Sequence, residues 1–336
     1  MATISGCTLC GMSRGPNIND LYFRKVLETL ANAASELRAV LPKELAEQLD
    51  WDALERDCRS LISPKLRERE SDLIFRTKLA GRSTVIYILI EHQSQPDPLM
   101  PFRMLEYMVQ IWNRWLADQP KTPKPKKVPL IIPLVVHAGR RARWTGPTEL
   151  LDVIDADPVA LEKFGAYLPR FRFLLDDVCA TKVDALRERP LTVPVFALLM
   201  LLTMARPSRN AEVELNSLID HMLDAPEGSF DDEDLKAMAG YILNTDLTSD
   251  EIIDTAFARL GSDAKEIVMT IADTLRAEGR VQERVDMLLK LLASKFGRLP
   301  KQTIVSIKSA DAAKLGTWFD RALTANHLEE VLHTGS

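Results

Sequence analysis

The stretch Ser71-Asp72-Leu73-Ile74-Phe75, followed after a short turn by Ile88-Leu89-Ile90-Glu91-His92-Gln93-Ser94, decides the reading of this chain. Two apolar runs, 73–79 and 84–90, flank Ala80-Gly81-Arg82-Ser83. Glycine accepts the positive φ of a tight turn, and the β-branched second run, Thr84-Val85-Ile86-Tyr87-Ile88-Leu89-Ile90, favours a strand. Opposed residues of an antiparallel pair have a constant index midpoint. For Asp72 and Glu91 that midpoint is 81.5, inside the turn. The two carboxylates are thus expected to face each other, with Cβ atoms about 4.5–5.5 Å apart. Alternation puts Gln93 on the face of Glu91 and turns His92 away. Such close like charges repel unless a cation lies between them, and Mg²⁺ or Mn²⁺ suits two hard oxygen ligands.

Outward from the hairpin, the chain alternates helix and strand signals. Phe23, Val26, Leu27, Leu30, Ala34 and Leu37 predict one helix from Asp20 to about Val40, stopped by Pro42. Residues 45–54 read as a short link and 57–63 as a weak strand. Leu105, Met108, Val109, Trp112 and Leu116 predict a helix over 99–117. Leu130 to Val136 reads as a buried strand, with Pro133 expected at an edge position or a distortion because it cannot donate to a ladder. This order is α/β: helix, three strands, helix, strand. Beyond Thr145 the pattern turns helical, near 159–165, 181–187, 193–205, 210–223, 231–244, 249–260, 263–278, 281–296 and 309–332. The expected organisation is a disordered tail at 1–17, a core at 18–145, a helical extension at 146–262 and a C-terminal helical domain at 263–336.

The chain has 336 residues, 46% apolar and 27% charged, with a formal net charge of −5. That is ordinary globular composition. The charge is uneven: residues 1–145 carry 22 Lys+Arg against 16 Asp+Glu, and the remainder 21 against 32. A polyanion partner therefore fits the N-terminal half alone; a solvated surface with uneven charge is the competing reading. The apolar stretch 193–205 is too short for a membrane span, which needs ~20 residues. No leader pattern opens the chain, so a cytoplasmic location is expected. Cys7-Thr8-Leu9-Cys10 is a lone pair without a second pair to complete a metal site, and the histidines, His137 included, form no ligand cluster by spacing.

Asp, a hairpin and then Glu-x-Gln resembles the PD-(D/E)XK nuclease core, where Asp and Glu-x-Lys hold Mg²⁺. More specifically the chain resembles the Rpn family of recombination-promoting nucleases, also called YhgA-like transposases. The matching residues are Asn19-Asp20-Leu21-Tyr22-Phe23-Arg24, Arg67 to Arg76, Glu91 to Ser94, Pro98, Arg103, Leu105, Tyr107 and Ile131 to Val136. The resemblance covers roughly 18–145; the stretch from Phe296-Gly297-Arg298-Leu299-Pro300 to Leu332 is similar to a helical domain that often follows this nuclease. Three departures stand out. Asn19 replaces the family's His, Val136-His137-Ala138-Gly139 replaces Leu-Tyr-His-Gly, and Gln93 replaces the superfamily's Lys, removing a positive charge from that position.

The resemblance implies a restriction-endonuclease-like αβββαβ core followed by a mostly α-helical C-terminal region. It implies a Mg²⁺-dependent DNA endonuclease, with Mn²⁺ as a possible substitute. Asp72 and Glu91 would ligate the metal, the His92 carbonyl would complete the shell, and Gln93 would orient water or contact the phosphate. Asp20 is either an additional acid at the site or a helix cap. Arg103 and Tyr107, four apart on one helix face, either line the cleft or pack the helix on the sheet. Lys121, Lys124, Lys126 and Lys127, with Arg140, Arg141 and Arg143, either hold DNA phosphates or form a solvated loop. Val281, Val285, Leu288, Leu289 and Leu292 form a stripe that admits either a homodimer through the C-terminal helices or core packing. The alternative function is a catalytically inactive nuclease fold that binds nucleic acid or a partner protein.

Overall fold

A five-stranded sheet of order β1-β2-β3-β4-β5 organises the N-terminal part of the protein. The computed structural model describes residues 17–57, 73–79, 85–138, 143–204, 210–245 and 247–332, side chains excepted at 85–91 and 93. The strands are β1 (Leu49–Arg56), β2 (Leu73–Leu79), β3 (Val85–Gln93), β4 (Leu130–His137) and β5 (Leu174–Asp177). Before them come α1 (Ile18–Leu27), α2 (Leu30–Val40) and α3 (Lys43–Ala46), and α4 (Met100–Ala117) links β3 to β4. β1, β2 and β3 pair antiparallel, whereas β3–β4 and β4–β5 are parallel. The helix between β3 and β4 is the crossover that a parallel pair requires.

The β2–β3 ladder pairs Leu73 with Ile90 and Phe75 with Ile88, so its midpoint is 81.5, the value expected from the acids. Three positions differ from the expectations, and Pro133 meets its own. The helix over 20–40 is two helices, because Thr29 takes an extended backbone (φ −74°, ψ 123°) and restarts the chain as the cap of α2. The cap of α1 is Asn17, which accepts from Asn19, and Asp20 lies in the first turn instead. The first strand is 49–56 rather than 57–63. A register shift between Asp50 and Glu55 breaks its two-residue apolar period, which hides it in the sequence. Residues 58–63 lie outside the described ones. Pro133 sits in a strand with neighbours on both sides, yet β5 begins pairing only at Leu134, so β4 is an edge at the proline itself.

Helices cover both faces of the sheet. On one face, α4 lays Met100, Met104, Tyr107, Met108 and Ile111 against Ile74, Ile131, Val135 and Phe173. On the other, α1 and α2 bring Phe23 and Glu36 to His92 and Asp176. α7 (Val193–Met204) is apolar on every side and all twelve of its residues are buried; such a helix belongs inside a protein. It packs against α1, α2, α8 (Ala211–Leu223) and α9 (Asp232–Asn244). α5 (Pro158–Phe164), α6 (Val183–Arg187) and α10 (Asp250–Ala258) complete this part. Among the described residues no helix is long and apolar enough to cross a membrane.

The chain divides into two compact units, 1–265 and 266–336. Residues 146–265 thus belong with the sheet, which β5 extends. α11 (Ser262–Phe296) runs unbroken through Gly279, where a break between two helices was expected. One interior glycine costs only about 1 kcal/mol and does not end a helix. Gly297, at φ 78°, does end it, its N–H bonding to the Ala293 carbonyl. In the second unit the C-terminal part of α11 packs with α12 (Lys301–Lys308), α13 (Ala312–Thr324) and α14 (Leu328–Leu332). Val285, Leu288 and Leu292 are buried there, with Val281 and Leu289 against them. The stripe that admitted a homodimer contact is therefore spent on this unit's own core.

Candidate functional site

The ends of β3, β4 and β5 meet at one edge of the sheet, and the ladder registers decide which residues share it. Glu91 pairs with Val135 and Gln93 with His137 across β3–β4; His137 pairs with Asp177 across β4–β5. Alternation places these positions on the α4 face, where Val135 is packed. His92, Val136 and Asp176 take the opposite face. Asp72 lies outside the described residues. It directly precedes Leu73, whose partner is Ile90, at the start of β2.

His92 is buried on the far face, as alternation predicts. Its Nδ1 lies 2.7 Å from Asp20 Oδ1 and its Nε2 3.1 Å from the Ala138 carbonyl. The two contacts hold the imidazole ring from either side. Asp20, one of the candidate acids, is thus joined to His92 on the side of the sheet away from positions 91 and 93. The bond ties α1 to the end of β3 and to the exit from β4, and Phe23 flanks the same ring at 4.9 Å.

Arg103 and Tyr107 lie on α4, whose first residue follows Gln93 by seven. Arg103 donates to Asp97 at 2.7 Å and to the Tyr107 hydroxyl at 3.4 Å. Burial lowers the guanidinium pKa, but the bonds to Tyr107 and Asp97 more than reverse this and raise it. Tyr107 is fully buried in the helix–sheet core. Its ring is part of the packing between α4 and the sheet, and Arg103 holds Asp97 as an acidic partner.

The lysine loop lies elsewhere. Lys121, Lys124, Lys126 and Lys127 are exposed and lead into Leu130, which pairs with Ile86 at the start of β3. Five residues of strand, about 16 Å, separate Leu130 from Val135 beside Glu91. Arg140 and Arg141 lie outside the described residues; Arg143 is exposed.

Sequence reading missed one cluster. His137, Asp177 and Cys179 bring three metal-capable atoms within 4.8 Å of one another. His137 and Cys179 are buried. The expectation that His137 joins no ligand group is overturned by the β4–β5 register, which sets residues forty apart side by side. No local spacing carries that signal, and residues 174–177 stood in a stretch read as helical.

No solved structure matches this chain. Among curated proteins, "Recombination-promoting nuclease RpnD" of Escherichia coli O157:H7 is 29% identical, over 76% of this chain and 93% of its own. "Recombination-promoting nuclease RpnC" of Escherichia coli K12 is 26% identical, over 78% and 81%. "Inactive recombination-promoting nuclease-like protein RpnE", also of K12, is 25% identical, over 83% and 91%. The sequence profile described as "Putative transposase, YhgA-like" matches residues 17–239, from the cap of α1 through nearly all of the sheet-bearing unit. On that match, the chain belongs to the YhgA-like family, among whose similar proteins are the recombination-promoting nucleases.

Proposed function

We propose that this protein is a metal-dependent DNA endonuclease with a restriction-endonuclease-like αβββαβ core. The observation that carries the reading is the β2–β3 register. The ladder pairs Leu73 with Ile90; continued by one residue, that register would bring Asp72 opposite Glu91, with Gln93 two residues along on the same face. Two relatives that span most of the chain are named nucleases, which supports the same reaction class.

The donor set fits a hard divalent cation. Asp72 and Glu91 would hold Mg²⁺, or Mn²⁺ in its place, with the backbone carbonyl of His92 beside them. When bound, the ion lowers the pKa of a coordinated water and stabilises charge developing on the phosphate. The chain's own residues supply position. Gln93 offers an amide to orient the attacking water, without the charge a lysine would add. Asp20 acts as a positioning residue through His92, fixing the end of β3 that carries Glu91. Arg140 and Arg141, in the segment after β4, would take the DNA phosphates nearest the site, without reading sequence. Lys124, Lys126 and Lys127 would engage phosphates farther along the duplex.

The test is conversion of supercoiled plasmid by the purified full chain in Mg²⁺ and in EDTA, beside Asp72→Ala and Glu91→Ala. Nicked or linear product is expected with Mg²⁺ alone. Each acid variant should lose about 100-fold or more, since a metal contributes several kcal/mol to the transition state. The relative named inactive gives the opposite outcome its meaning. Salt-sensitive DNA binding with intact plasmid in both Mg²⁺ and Mn²⁺ would replace the enzyme with a nucleic-acid-binding nuclease fold.

A further inference from the structure

We infer that His137, Asp177 and Cys179 form a second metal site, of zinc type, chemically distinct from the carboxylate pair proposed above. A thiol, an imidazole and a carboxylate are the ligand types of Zn²⁺, and the first two are poor ligands for Mg²⁺. Their ligand atoms lie within 4.8 Å of one another. A tetrahedral zinc site, with bonds of about 2.0–2.3 Å, has ligand atoms roughly 3.3–3.8 Å apart. The ligand atoms are thus already within about 1.5 Å of that spacing.

Two further observations point to an ion. Asp177 Oδ1 is buried with no hydrogen-bond partner among the described residues; such an oxygen is costly unless something cationic or donating meets it. Asp177 Oδ2 accepts the backbone N–H of Trp144 at 2.9 Å. That bond holds the carboxylate in place, as outer partners do for a ligating carboxylate, and leaves the other oxygen unclaimed among the described residues. The Trp144 ring meets His137 edge-on at 5.3 Å, restricting the imidazole in turn.

The placement gives the ion a task. β5 has only four residues, all four paired to β4, and His137–Asp177 is the last pair. A bond from His137 to Asp177 and Cys179 through one ion would clip this short edge strand, with the turn at 178–180, to β4. Binding releases the Cys179 thiol proton to solvent, since the thiolate is the ligand. Three protein ligands leave a fourth position for water. The site uses none of the residues of the proposed carboxylate pair and does not depend on the nuclease reading.

Cobalt is a spectroscopic stand-in for zinc, and the thiolate gives it a near-ultraviolet charge-transfer band. The full chain would carry Cys7→Ser and Cys10→Ser, so that the Cys7-x-x-Cys10 thiols do not compete. One equivalent of Co²⁺ should raise the band, and Zn²⁺ should abolish it by displacement. Cys179→Ser should remove the band. Asp177→Asn keeps an oxygen for the Trp144 N–H, so the fold is preserved, yet it should weaken Co²⁺ binding at least tenfold. Glu91→Ala should leave the band unchanged even if it ends nuclease activity. No band at one equivalent, or a band that survives Cys179→Ser, overturns the inference. So does a band lost in Glu91→Ala but not in Cys179→Ser, because the ion would then sit at the carboxylate pair. Plasmid cleavage is a separate readout, so either site can fail without the other.

Discussion

Glu36→Gln isolates a buried acid whose protonation the fold controls. Glu36 lies on α2, fully buried beside Asp176. Burial raises its pKa well above the ordinary 4.5, the nearby Asp176 carboxylate raises it further, and Arg189 only partly opposes them. Arg189 is already committed to Asp176 through a two-pronged bond of 2.8 and 2.9 Å. The folded protein therefore holds Glu36 as the neutral acid over a pH range in which the unfolded chain has ionised it. The native state binds the extra proton, so this group's contribution is complete below pH 4.5. It is lost as pH rises from there to the folded pKa. One proton corresponds to a slope of about 1.4 kcal/mol per pH unit. Glutamine keeps the shape and does not titrate. In urea unfolding at a series of pH values, followed by tryptophan fluorescence and circular dichroism, the variant should gain on the parent by about that slope above pH 4.5. Below it the two curves should run parallel. A difference that stays constant from about pH 4 to 8 would refute the reasoning. It would mean that Arg189 keeps Glu36 ionised in the folded protein.

Two other substitutions test packing and charge. Arg114 donates at 3.0 Å to Asp57, whose side chain is only 2% exposed. Arg114→Met should cost about 3 kcal/mol in urea unfolding, and Asp57→Asn added to it should recover part of the loss, because the variant removes one of the cations that balance a nearly buried carboxylate. Leu288 is fully buried in the core of the C-terminal unit. Leu288→Ala should cost about 2–5 kcal/mol there, and in calorimetry it should lower one transition while leaving that of the sheet-bearing unit in place.

What the sequence determined by itself is the part governed by short-range periodicity. The hairpin register followed from a turn glycine and a midpoint, since an antiparallel pair joined by a short loop has little freedom to slip. The helix over 193–204 followed from an unbroken apolar run, and those over 211–223 and 232–244 from the helical pattern between their breakers. His92 was turned away from Glu91 by alternation alone. Tertiary structure decided what depends on distant partners. Leu49–Arg56 is a strand because β2 and β3 supply its ladder, although a register shift erases its period. Leu174–Asp177 is a strand because β4 offers an open edge. The same parallel pairing brings His137 to Asp177 and Cys179, and the packing of α2 under the sheet buries Glu36 beside Asp176. Parallel neighbours are joined through long connections, so their register is set by the packed core rather than by any local run of residues.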